Sequence, residues 1–134
     1  MFDDETKGKE RRKQLRDKAK VLFRNVKMTN KDFNHEVVIS VRNIKEILNQ
    51  PHKNLNEKNE AILEIDKLFS SSTFKGELSK ENETDGFTSY IFEIQIADSK
   101  SWIIVRKYDT TREFWIYSIS DQEYLLKHLK KKEI

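Results

Sequence analysis

His52 follows the lone proline of the chain, Pro51, where a helical pattern stops. An imidazole on such a loop can face a groove, and its ordinary pKa lets it move a proton near neutrality. Arg106 and Lys107 end the apolar run Trp102-Ile103-Ile104-Val105, so at least one of them projects from the open face of a sheet at the edge of the core. Either could bind a phosphate. Ser118 stands among Trp115, Ile116, Tyr117 and Ile119, where a small hydroxyl either leaves room for a ligand or fills a gap. These groups suit one reaction in particular. Cleavage of RNA by attack of its own 2′-hydroxyl needs no metal and no covalent intermediate, only groups that move protons and cations that stabilise the developing phosphorane charge.

Each residue has a plainer reading beside it. His52 can be an exposed loop histidine without a task, and that reading is stronger still for His35, in a polar connection, and for His128, in a basic tail. Tyr90, Trp115 and Tyr117 could stack on bases, but aromatics at period-two spacing also serve as core or cross-strand pairs. Other chemistries lack parts. The glycines are Gly8, Gly76 and Gly86, which rules out a Gly-rich phosphate loop, and with no Cys there is no thiolate nucleophile, disulfide or zinc knuckle. Asp85, Glu93 and Gln95 could be imagined around Mg²⁺ but are not tightly spaced. No metal and no cofactor is therefore expected.

The elements that must position these groups read as helices followed by strands. Leu15, Ala19 and Leu22 recur at helical spacing in a charged segment from about Asp4 to Arg24, giving a basic N-terminal helix over residues 1–25 ahead of a single domain over 26–134. Short strands at Val26–Thr29 and Glu36–Ser40 suggest a hairpin. Ser40 can cap a helix bearing Val41, Ile44, Ile47 and Leu48 that Pro51 ends, and Asn56 can cap another bearing Ala61, Ile62, Ile65, Leu68 and Phe69. An exposed acidic loop is expected from Gly76 to Gly86. Apolar residues then switch to period two at Tyr90, Phe92, Ile94 and Ile96, and the runs Trp102–Lys107 and Phe114–Ile119 follow after short turns. Such turns imply an antiparallel meander. A closing helix is expected from Ser120, with Glu123 completing a capping box, to about Lys132. The fold class is thus α+β, with N-terminal helices on a curved antiparallel sheet.

Composition sets the remaining bounds. The 134 residues suit one domain, and eight Phe, two Trp and four Tyr supply a core despite 37% charged residues. The start of the chain, Met1–Glu10, has no apolar signal-peptide core, and no run approaches the roughly 20 apolar residues that span a bilayer. A soluble protein of a reducing, cytoplasmic compartment is expected. The net charge is +3, and between Arg11 and Arg24 seven basic residues face one acid, Asp17. That run and the tail Lys127–Lys132 could touch phosphates or could be solvated helix faces.

From about Val26 to Asp121 the chain resembles the barnase/EndoU/colicin E5-D/RelE-like nuclease superfamily, particularly its phage-associated and bacterial contact-dependent toxin versions. The residues that carry the resemblance are Val38-Ile39-Ser40-x-x-x-Ile44-Lys45, then His52, the helix Glu60-Ala61-Ile62-Leu63-Glu64-Ile65 leading into Leu68-Phe69, and the strand series ending Tyr117-Ser118. The resemblance implies a metal-independent endoribonuclease, often directed at tRNA. His52 would be the general acid or base, Lys45 and Arg106 would hold the phosphate, and Ser118 would orient it. Lys53, Lys107, Arg112 and Tyr117 would contact the nucleic acid. A toxin of this kind would also have an immunity protein as partner. The sequence equally permits a noncatalytic module of a phage or mobile-element protein that binds nucleic acid or another protein.

Overall fold

Ser40 begins the best-defined helix. Its backbone is extended, its hydroxyl accepts the Asn43 N–H at 3.0 Å, and the Asn43 side chain reaches back to the Ser40 N–H, so two orphan donors are satisfied reciprocally. In the computed structural model, which describes residues 4–80 and 84–130, this helix is α2, Val41–Asn49. It buries Ile44, Ile47 and Leu48 and stops at extended Gln50, because a residue before proline avoids helical angles.

Ahead of it come α1, Asp4–Leu22, and a hairpin of β1, Met28–Asn30, and β2, Phe33–Val38. Leu15 and Ala19 of α1, and Phe23 just beyond it, are buried in the common core, so the basic helix packs as part of the same body. The helix expected from Asn56 is broken into α3, Leu55–Ala61, a 3-10 turn at Ile62–Glu64, and α4, Ile65–Ser71. Asn54, not Asn56, stands at its N-terminus, where its side chain is already bonded to Asp98 and Ser99.

The strands are β3, Thr73–Glu77, β4, Phe87–Ile96, β5, Ser99–Tyr108, and β6, Phe114–Ser120. They join β1 and β2 in one curled sheet of order β1-β2-β6-β5-β4-β3. β4, β5 and β6 form the expected meander, but two features differ from expectation. β3 runs into the start of the segment read as a loop, at Gly76 and Glu77; a short edge strand with Phe74 as its one apolar residue, it carries no apolar alternation to betray it. β2 pairs with β6 in parallel, through Val37 with Phe114 and Val38 with Trp115, so the sheet is mixed. Beyond that pairing the edge of β6 is covered by the end of α2, with Ile119 N–H donating to Gln50 Oε1 at 3.3 Å. The closing helix is present as a 3-10 helix, Glu123–His128, and the expected Ser120 cap falls inside β6. Residues 131–132 of that expectation lie outside the described residues.

Helices cover one face of the sheet around Phe92, Ile94, Ile103, Val105 and Ile116. Lys58 of α3 is fully buried beneath them. Its ammonium donates to the carbonyls of Ile47 and Gln50, closing the C-terminus of α2, and burial together with the nearby Arg12 guanidinium pushes its pKa down to about 8.

Lys58→Ala leaves those carbonyls unpaired beside a void and is expected to cost about 2–4 kcal/mol in urea denaturation. Lys58→Met keeps the stem and removes the cost of burying a charge, so its loss should be less than half of that; equal losses in the two variants would show that the ammonium bonds, not the packing, dominate.

Candidate functional site

Alternation along β5 divides its side chains between two faces. Ser101, Ile103 and Val105, opposite Ile94, Phe92 and Tyr90, turn toward the helices. Trp102, Ile104, Arg106 and Tyr108, opposite Glu93, Ile91, Ser89 and Phe87, turn the other way. Part of this second face is covered by the C-terminal segment, held by Ser79 N–H to His128 O at 2.7 Å and Lys130 N–H to Glu77 O at 2.9 Å. The rest lies open.

A bulge in β6 shapes the open part. Ile103 pairs with Ile119 and Ile104 with Ser118, but Val105 pairs with Ile116, which leaves Tyr117 as the extra residue. Tyr117 and Ser118 therefore both lean toward the second face. The Arg106 guanidinium carbon lies 3.4 Å from the centre of the Tyr117 ring and 3.9 Å from that of Phe87, a cation held between two aromatic faces. Its Nε is buried with no hydrogen-bond acceptor, and no carboxylate lies within 4 Å of it among the described residues.

Arg106 stands between two concavities. One, of about 570 Å³, runs between α2 and β6, with Tyr108, Trp115 and Tyr117 from the sheet, Arg42 from α2, and Thr110 and Thr111 from the β5–β6 turn. The other, of about 230 Å³, lies under the C-terminal segment and is lined by Lys80, Ser89, Tyr124 and His128. Arrayed aromatic rings beside an unpaired, pre-oriented guanidinium can stack on planar groups and grip an anion.

The residues expected from the sequence do not converge. Arg106, Ser118 and Tyr117 share the second face, and Arg112, with a left-handed backbone at φ 60°, lies on the adjoining turn. Ser118 is only 4% exposed, so it underlies the face rather than presenting a hydroxyl to the groove. Lys107 points to the helical side, its ammonium 5.9 Å from the centre of the Phe114 ring. Lys45 lies in a groove between α2 and α1. His52 and Lys53 sit near the far end of β5, where His52 Nε2 meets Ser101 Oγ at 2.8 Å and Lys53 N–H donates to Asp121 at 2.8 Å. Ser101 and Arg106 are roughly 17 Å apart along the strand at about 3.4 Å per residue, and they face opposite sides. A site joining His52 to Arg106 is not formed.

His52 instead clamps a loop. Its Nδ1 accepts the Asn54 N–H at 2.8 Å, which leaves Nε2 to carry the proton and donate to Ser101. A ring that donates to a serine cannot also deprotonate it, so the pair is not a nucleophilic dyad. Burial lowers the His52 pKa, and the Asp121 carboxylate only partly opposes this. The residues missed as a group, Arg42, Tyr108, Thr110 and Thr111, carried no sequence signal, because a helix face and a hairpin turn meet them only in the folded chain. No group of three His, Cys, Asp or Glu side chains able to hold a metal occurs among the described residues, and no helix there is long and apolar enough to cross a membrane.

Comparison with known proteins gives one family. A model described as large polyvalent protein-associated domain 3 matches residues 6–117. No model of a barnase/EndoU/colicin E5-D/RelE-like nuclease family matches, so the resemblance to those nucleases is supported only as far as the phage association and the α+β layout. No curated protein and no solved structure matches the chain.

Because the folded His52 pKa lies below its ordinary 6.5, the stability that the clamp contributes is complete above pH 6.5 and is lost as pH falls through the folded value. Urea midpoints should fall between pH 7 and pH 5 more steeply for the wild type than for His52→Ala; parallel pH profiles would show that the clamp does not titrate.

Proposed function

The chain belongs to the large polyvalent protein-associated domain 3 family, a domain of phage polyvalent proteins, and on that premise we propose that it is a nucleic-acid-binding module that takes single-stranded RNA on the open sheet face. The Arg106 guanidinium, stacked between Phe87 and Tyr117 with no carboxylate within 4 Å among the described residues, is the observation that carries this reading. A half-buried cation is ordinarily paired, and this one is held between two rings with its Nε buried and no acceptor within reach among the described residues. A phosphate supplies the missing acceptor.

Trp115 and Tyr117, both half-buried, give the groove a stacking floor that suits any base, while Arg42, paired with Glu46 at 3.4 Å, stands on its α2 side. The groove is broad and open to solvent, which fits a strand rather than a small metabolite.

A second reading, metal-independent RNA cleavage, is favoured by His128, which lines the smaller cavity with Arg106, Ser89 and Lys80. Arg106 would hold the scissile phosphate and His128 would move the proton, in place of His52. Only this reading calls for an immunity partner.

For the binding reading, anisotropy with a labelled 12-nucleotide single-stranded RNA is the test. Arg106→Ala should weaken binding about 10- to 100-fold, the range of a lost charged hydrogen bond. Trp115→Ala should weaken it about 5- to 100-fold through lost stacking. Wild-type affinity in both variants would rule the face out. For the cleavage reading, wild-type protein should cut RNA in EDTA and His128→Ala should lose at least about 100-fold in rate; intact RNA after prolonged incubation would leave binding alone.

A further inference from the structure

A second concentration of charge lies on the helical side of the sheet, away from Arg106. Arg12, Lys13 and Arg16 lie three, four and seven residues after Lys9, so α1 presents the four as a single stripe about 10 Å long at 1.5 Å rise per residue. Across a groove of about 240 Å³ from this stripe stands Lys45 of α2, with Leu48 and Asn49 of the same helix also lining it.

The stripe is unlike the rest of its helix. Arg11, on another side of α1, is bonded to Glu60 of α3, and Arg16 has only its neighbour Asp17, at 3.9 Å. Among the described residues, no carboxylate lies within 4 Å of Lys9, Arg12, Lys13 or Lys45. The field of this corner also reaches inward, since the Arg12 guanidinium adds to burial in depressing the Lys58 ammonium. Five cations facing one groove repel one another, and a row of anions would relieve that repulsion.

We infer that the α1–α2 groove binds the phosphate backbone of double-stranded nucleic acid without reading its sequence. Three observations select the duplex. Among the described residues no aromatic ring lines the groove, so they offer nothing for an unpaired base to stack on. Its cations are set at fixed spacing on two packed helices and match a stiff ligand, not a flexible one. A duplex also carries one charge per roughly 1.7 Å of axis, so the stripe spans about six of them. This inference is independent of the single-strand reading of the open sheet face, because none of the groove residues belongs to that face.

The test uses the whole chain, a labelled 20-base-pair DNA duplex of arbitrary sequence, and anisotropy from 50 to 200 mM NaCl. Lys9, Lys13 and Lys45 are all exposed, so the triple variant Lys9→Gln, Lys13→Gln, Lys45→Gln should keep the wild-type circular dichroism and urea midpoint. It should bind the duplex about 10- to 100-fold more weakly at 50 mM salt, and the slope of log affinity against log salt should shrink by about 2 to 3. Arg106→Ala should leave duplex binding unchanged, and the triple variant should keep whatever affinity the sheet face has for single-stranded RNA. The inference is overturned if the triple variant retains wild-type affinity and slope, or if a single strand of equal length competes as well as the duplex.

Discussion

A β-strand can offer each side chain to only one of its two faces, and β5 divides the molecule by that constraint. Ser101 goes to the helical side and engages His52, while Arg106 goes to the open side and meets Phe87 and Tyr117. Polar groups that look interchangeable in the sequence therefore serve separate ends. One set ties the segment after Pro51 to the sheet through the His52–Ser101, Asn54–Asp98 and Lys53–Asp121 bonds. The other leaves a half-buried cation held between two aromatic rings.

The two sets differ in how completely they are satisfied. Around His52 both ring nitrogens are bonded, and Asp121 receives a backbone amide that, with the His52 ring, outweighs burial and holds its carboxyl below the ordinary range. Around Arg106 the opposite holds, with a buried Nε that finds no acceptor among the described residues. A missing acceptor of this sort costs about 1–3 kcal/mol. Proteins retain such defects where a ligand completes them, which is why the unsatisfied set, and not the tidy one, marks the candidate site.

Much of the fold was legible because local rules and tertiary structure agree. The Ser40 cap, the Ile44–Ile47–Leu48 stripe and the stop before Pro51 all point to α2, and alternation from Tyr90 to Ile96 gives β4 with the correct face inward. What escaped depended on non-local pairing. β3 shows no alternation, the parallel β2–β6 contact spans only two residue pairs, and the extra residue Tyr117 shifts the phase of β6 midway. The candidate site was half legible. Arg106 or Lys107 was expected on the open face from the end of the apolar run, and Arg106 is the one found there. The bulge that brings Tyr117 to the same side as Ser118 is invisible to period two, and His52 lies outside any periodic element, so no rule of spacing could tell which side of the sheet its loop would take.

The parallel pairing of β2 with β6 also bears on how the chain comes to be folded. It joins a strand near the beginning to the last strand of the sheet, with β3, β4 and β5 formed between them. The helices can coil and the meander can zip up locally, but the apolar sides of the two halves close on each other only once Phe114–Ser120 is in place. During synthesis on a ribosome the early half would emerge with its greasy stripe uncovered, so productive collapse must await the final strand, and the rate of this late, long-range docking governs how long the nascent chain stays vulnerable to aggregation.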